Sequence, residues 1–149
     1  MVVLKKILDF YINSSLHVAL SAFALVSMTQ YFFGVQGDFS VAFFAFFGTV
    51  VGYNFVKYDA IARLNKTEIK KELKAIVFLS FISLLACFYF FLQLSWMSKV
   101  SAFAFFGLTL LYTLPFFPNK QNARNWKGVK IYIVGITWVG VTVILPLVE

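Results

Sequence analysis

Residues 39–56 read FSVAFFAFFGTVVGYNFV, eighteen consecutive positions without an Asp, Glu, Lys or Arg. A helix rises about 1.5 Å per residue, so a run of this length approaches the roughly 30 Å hydrocarbon core of a bilayer. Nor does the run alternate apolar with polar as a membrane strand does: positions 41–47 are VAFFAFF. A helix satisfies its own backbone hydrogen bonds in lipid, whereas an open sheet edge leaves groups unpaired at several kcal/mol each. The stretch therefore reads as a spanning helix.

Working outward, four more windows carry no charge: 14–33, 75–98, 100–119 and 131–148, of 20, 24, 20 and 18 residues. Together the five windows occupy 100 of the 149 positions, which confines all nineteen charged side chains to the remaining 49. The expected fold is an all-α integral membrane protein. It is a single domain, 1–149, of five transmembrane helices at about 14–33, 39–58, 73–94, 98–117 and 129–148. Composition agrees: the chain is 61% hydrophobic, 20% aromatic and 13% charged, where soluble domains are about 45–50% apolar and about 25% charged. A soluble globule is excluded, and so is disorder, which needs polar, aromatic-poor sequence.

The charges also predict sidedness. Of thirteen Lys and Arg, twelve fall at the N-terminus (Lys5, Lys6), in the second connection (Lys57, Arg63, Lys66, Lys70, Lys71, Lys74) or in the fourth (Lys120, Arg124, Lys127, Lys130), leaving only Lys99 opposite. The positive-inside rule then puts the N-terminus in the cytoplasm and the C-terminal Glu149 outside. The expected location is a multi-pass position in a plasma or inner membrane. The net charge of +7 suits anionic headgroups at about 1 kcal/mol per basic residue near the surface. Its spread along membrane borders argues against nucleic acid as a partner. Lys5 and Lys6 ahead of an apolar stretch resemble a signal peptide, but Asp9 and Asn13 interrupt the lead-in and the following window is long enough to span. Cys87, mid-window and without an intrachain partner, reads as a small packing residue.

The outer connections, 34–38 and the turn around Lys99, are hairpin-short, so helices one and two, and three and four, should be antiparallel neighbours. Asn65 with Glu68 three residues on reads as a helix N-cap with its reciprocal acid, so helix three should begin in the cytoplasm. Pro115 and Pro118 lack amide hydrogens and mark the inner end of helix four, with a polar loop over 119–128. In helix two, Gly48 and Gly52 lie four apart with Ala45 and Ala42 nearly in line. That small-residue strip is expected to be a helix contact, and a smooth groove of the same kind would also take an isoprenoid chain.

Candidate polar groups gather at the cytoplasmic helix ends: His17, Asn54, Lys57, Tyr58, Asp59, Tyr112 and Lys130. Asn54 and Tyr58 share a face at i and i+4, while Asp59 is rotated about 140° from Asn54. No cluster of metal-ligand spacing, no Gly-rich phosphate loop and no hydrolase triad is present in the sequence.

The segment Gly52-Tyr53-Asn54-Phe55-Val56-Lys57-Tyr58-Asp59 resembles the place where UbiA-type intramembrane prenyltransferases carry their first Asp-rich motif, N-D-x-x-D-x-x-x-D. Leu111-Tyr112-Thr113-Leu114-Pro115, the basic loop, and Gly128-Val129-Lys130 leading to Trp138 and Pro146 are similar to that family's fourth and fifth helices. The resemblance implies the first half of a roughly nine-helix fold and prenyl transfer from a polyprenyl diphosphate, with Mg²⁺ held by the acidic motifs. The sequence departs from the pattern where the acids should stand, having Phe55, Tyr58 and Ala62 there, with Asp59 one residue out of register.

Asn54 and Asp59 are therefore the candidates for catalysis, and Asp59 alone for metal. Lys57, Tyr58, Tyr112, Lys120, Arg124 and Lys130 are candidates for a diphosphate or lipid headgroup. The expectation is a truncated or degenerate relative that is not catalytically competent alone and uses Mg²⁺ only if catalytic. A homo-oligomer with Asp59 from each copy beside one cavity is the catalytic variant. The alternative is a non-enzymatic membrane subunit that binds a partner helix through Gly48 and Gly52 and anionic lipid through its basic loops.

Overall fold

The computed structural model describes residues 2–35, 39–64, 71–113 and 128–149. Among these the chain is helical throughout, with no strand. Its elements are α1 (Val2–Asn13), α2 (Leu16–Phe32), α3 (Ser40–Leu64), α4 (Lys71–Gln93), α5 (Trp96–Thr113) and α6 (Val129–Val139). A π-helical turn (Gly140–Ile144) and α7 (Leu145–Val148) continue α6.

Among the described residues three helical stretches are long and apolar enough to cross a membrane: Ser40–Tyr58, Leu73–Gln93 and Ile131–Val148. The α1–α2 pair, bent by 60°, makes a fourth if taken as one span, and the apolar stretch Trp96–Leu111 is shorter. The expected polar lead-in before residue 14 is itself helical. It breaks from α2 at Ser15, whose φ of 61° is left-handed, a conformation that ends a helix because it turns the next amide away. Helix α3 runs six residues beyond the expected 58. The predicted cap at Asn65 and Glu68, the prolines 115 and 118, and most of the loop 119–128 lie outside the described residues.

Helix α3 is central. Ala19, Ala22 and Val26 of α2 are fully buried, and these short side chains let α2 approach α3 closely where lipid offers no hydrophobic drive to associate. Val26, Val41, Ala42, Ala45, Leu94, Ala102 and Leu145 form the core cluster, drawing on α2, α3, α5, α7 and the α4–α5 turn. Most large side chains of α4, such as Phe78, Leu85 and Phe88, are exposed, as expected of a surface turned to lipid.

Polar contacts fix which ends meet. Ser40 Oγ donates to Gln93 Oε1 at 2.8 Å, so α3 and α4 are antiparallel. The Ser95 amide donates to the Glu149 carboxylate at 3.0 and 3.1 Å, which puts an anion at the positive N-terminus of α5. Thr29 Oγ1 of α2 donates to the Thr142 carbonyl at 2.8 Å. Thr142 lies in the π-helical turn, so this bond ties α2 to the last span at the point where its helical register changes.

Candidate functional site

Helices α3, α4, α5 and α6 do not close on one another. They surround a cavity of about 530 Å³ whose lining runs on α3 from Phe44 to Val56, about 18 Å at 1.5 Å per residue. Ala45, Gly48 and Gly52 form its smooth side, faced by Cys87 of α4, Phe105 and Thr109 of α5 and Thr137 and Trp138 of α6. The ring of Tyr53 meets that of Trp138 edge-on at 6.2 Å.

Both glycines of the expected helix-contact strip thus stand on a cavity wall. A Cβ at Gly48 would touch only Cys87 Sγ, at 3.6 Å, and one at Gly52 would meet nothing within 4 Å. At the far end Gly140 of the π-helical turn is so close to Phe105 that a Cβ would overlap the ring. Here the missing side chain permits a close approach, which is the role the strip was expected to play.

The hydroxyls in the wall are turned back on their own helices. Thr49 donates to the Ala45 carbonyl at 2.7 Å, Thr109 to Phe105 at 2.9 Å and Thr137 to Ile133 at 2.8 Å. With those hydrogens committed, the wall presents chiefly methyl, aromatic and glycine surface, which suits a hydrocarbon chain.

The polar candidates do not converge on this space. Asn54 is 3% exposed and its Nδ2 donates to Ser80 Oγ of α4 at 2.9 Å. Ser80 in turn donates to the Ile76 carbonyl at 2.8 Å, and Asn54 Oδ1 is left without a partner. Two residues separate Asn54 from Gly52, a rotation of about 200° at 100° each, so Asn54 faces α4 from the opposite side of α3.

Lys57 and Tyr58 grip the end of α1. Lys57 Nζ donates to the Asn13 carbonyl at 3.2 Å and Tyr58 Oη to the same oxygen at 2.9 Å, while Nζ lies 5.4 Å from the Tyr58 ring centroid. A cation at a helix C-terminus meets unpaired carbonyls and the negative end of the dipole. His17 is exposed, its ring 5.9 Å from that of Tyr11. Asp59, Tyr112 and Lys130 belong to α3, α5 and α6, but their side chains, like Lys120 and Arg124 altogether, lie outside the described residues.

Among the described residues no three His, Cys, Asp or Glu side chains gather as a metal site. Mg²⁺ takes oxygen ligands in near-octahedral geometry, drawn from carboxylates and phosphates. One amide oxygen pressed against α4 does not meet that need, so the described donor set does not fit the ion. Sequence reasoning missed Ser80 and Asn13 as partners. Ser80 is a lone hydroxyl in a greasy window, and Asn13 stands just before the Ser14-Ser15 break, the one local signal available. A comparison with protein-family models, with curated proteins and with solved structures finds no match for the chain.

Proposed function

We propose that this chain is a UbiA-like membrane protein that holds an apolar lipid chain, of isoprenoid type, between its helices and does not transfer prenyl groups by itself. The observation that carries this reading is the cavity of about 530 Å³ with Gly48 and Gly52 on its wall. A groove smoothed by glycine accepts a methyl-branched chain without steric selection at each carbon. Phe55, Tyr58 and Ala62 at the positions of the motif's acids leave a departing diphosphate without carboxylate-held metal to neutralise it.

The proposal includes five spans with a cytoplasmic N-terminus. Its support is the antiparallel order of the helices. The contact between Asn13 and Lys57 ties the end of α1 to the far part of α3, so Lys57 and the helix that carries Lys5 and Lys6 are at the same end of the bundle. Lys99 is at the opposite end, donating to the Leu92 carbonyl at 3.0 Å. The basic residues of the inner connections, Lys120 and Arg124 among them, would then meet an anionic headgroup.

The test is photolabelling of the purified protein in vesicles containing a diazirine-bearing prenyl alcohol. Adducts are expected on Tyr53, Thr109 and Trp138. Adducts confined to outward positions such as Phe78 and Leu85 overturn the reading. In parallel, Mg²⁺, a polyprenyl diphosphate and an aromatic acceptor are expected to give no product, and turnover abolished by Asp59→Ala would restore the catalytic reading.

A further inference from the structure

Helix α1 is covered by almost nothing. Leu4 and Ile7 are 73% and 61% exposed, and Leu8, Phe10 and Ile12 are exposed too. At 100° per residue, Lys5, Lys6, Asp9 and Asn13 fall within one arc of about 100°, while Val3, Leu4, Ile7, Leu8 and Phe10 occupy the other side. The helix is twelve residues long, about 18 Å, too short for a core of roughly 30 Å. Its three charges would also be costly at that depth.

Its direction is set. Ser14 and Ser15 at the bend are buried, Ser15 is left-handed with φ of 61°, and the Asn13 carbonyl is held by both Lys57 and Tyr58. The elbow is a built corner of 60°. If α2 follows the bilayer normal, α1 slopes about 30° from the membrane plane and rises about 9 Å over its length. A tilt of α2 of about 20°, the usual magnitude, taken in the plane and sense of the bend brings α1 to within about 10° of the membrane plane.

From the bend, the two-sided composition and the lysines, we propose that α1 lies in the headgroup–acyl boundary of the bilayer that α2 enters. Its apolar arc is immersed, with Lys5 and Lys6 against anionic headgroups. Such helices immerse their apolar face about 5–10 Å. A lipid surface is favoured over a second protein because the apolar arc is convex and continuous with the outer surface of a chain that is itself greasy. The inference depends on membrane residence alone, not on what the cavity holds.

The test uses the full chain, Cys87→Ser, with spin labels at single cysteines replacing Leu4, Ile7 or Leu8, and Lys6 or Asp9. It is reconstituted in vesicles of phosphatidylcholine with phosphatidylglycerol. Collision with oxygen, which concentrates in acyl chains, and with a water-soluble nickel chelate gives depth. Labels on the apolar arc are expected about 5–10 Å below the boundary, with those at Lys6 and Asp9 in water. Nickel access at every position, access of neither reagent on the apolar arc (a protein cover), or immersion of both arcs overturns the proposal. In the pair Lys5→Gln, Lys6→Gln the ratio of docked to lifted spectral components is expected to fall about fivefold per lysine. An unchanged ratio overturns the anionic contact.

Discussion

Replacing Gly52 with leucine separates a lipid cavity from a helix contact. A Cβ there meets nothing within 4 Å, so the new side chain starts into open space on the cavity wall. Helix propensity favours leucine over glycine by about 0.8 kcal/mol, so the fold is expected to hold or gain stability. The ligand loses room for about four carbon atoms. Pricing them at the water-to-oil value of about 0.8 kcal/mol per methylene would be wrong, because the chain arrives from lipid tails as apolar as the cavity. What is lost is fitted contact, about 0.3 kcal/mol per heavy atom for ligands of this size. Four atoms then amount to about 1.2 kcal/mol, an affinity lower by about eightfold. Competition photolabelling in vesicles, with unlabelled prenyl alcohol as competitor, reads this directly. Unchanged labelling together with a lost oligomer would refute the reasoning and return Gly52 to the role of a helix-contact residue.

Gly140→Ala should drive the Phe105 ring into the cavity, weakening chain binding and lowering stability by about 1–3 kcal/mol; detergent-titration unfolding and photolabelling that both match the parent would contradict the observed contact. Thr29→Val strips the Thr142 carbonyl of its donor and is expected to cost about 0.6–1.7 kcal/mol, the range measured for interhelical hydrogen bonds in membranes. Detergent-titration unfolding that matches the parent would contradict the contact. Tyr58→Phe combined with Lys57→Met frees the Asn13 carbonyl, and the distance between spin labels on α1 and α3 should broaden while the spread between α3 and α4 does not.

The long apolar helices were legible because charge exclusion is a property of long stretches and survives any detail of packing. Local breaks were less so. The α1–α2 corner rests on Ser15 in a left-handed conformation that glycine or asparagine would have announced and serine does not. The extension of α3 through Leu64 was hidden because a helix leaving lipid for water keeps its hydrogen bonds while its composition turns polar. The cavity was invisible for a different reason. Gly48 and Gly52 mark a face where backbones can approach, and sequence periodicity finds that face without saying whether a neighbour fills it. That depends on residues far away, such as Phe105, which packs against Gly140 and so holds α5 and α6 together opposite the strip.

The placement of Asn54 constrains any ligand model more strongly than the cavity's volume does. Asn54 and Gly52 lie on opposite sides of α3, so no rotation of that helix brings both to one ligand. The Ser80 contact fixes which side is which. A chain lying along Gly48 and Gly52 cannot reach Asn54, and a polar head reaching Asn54 would have to enter between α3 and α4, where Ile76 and Ser83 are buried. Under the proposed lipid binding, a headgroup would leave the cavity beyond Phe55 and Val56, on the side of α3 away from Asn54. Asn54→Ala is accordingly expected to leave chain labelling unchanged and to loosen only the α3–α4 contact. Since it also removes the unpartnered Oδ1, whose burial is itself costly, the net loss of stability should stay below about 1 kcal/mol. A strong labelling defect in Asn54→Ala, with α3–α4 packing intact by cysteine cross-linking, would show that the ligand occupies the other side of α3.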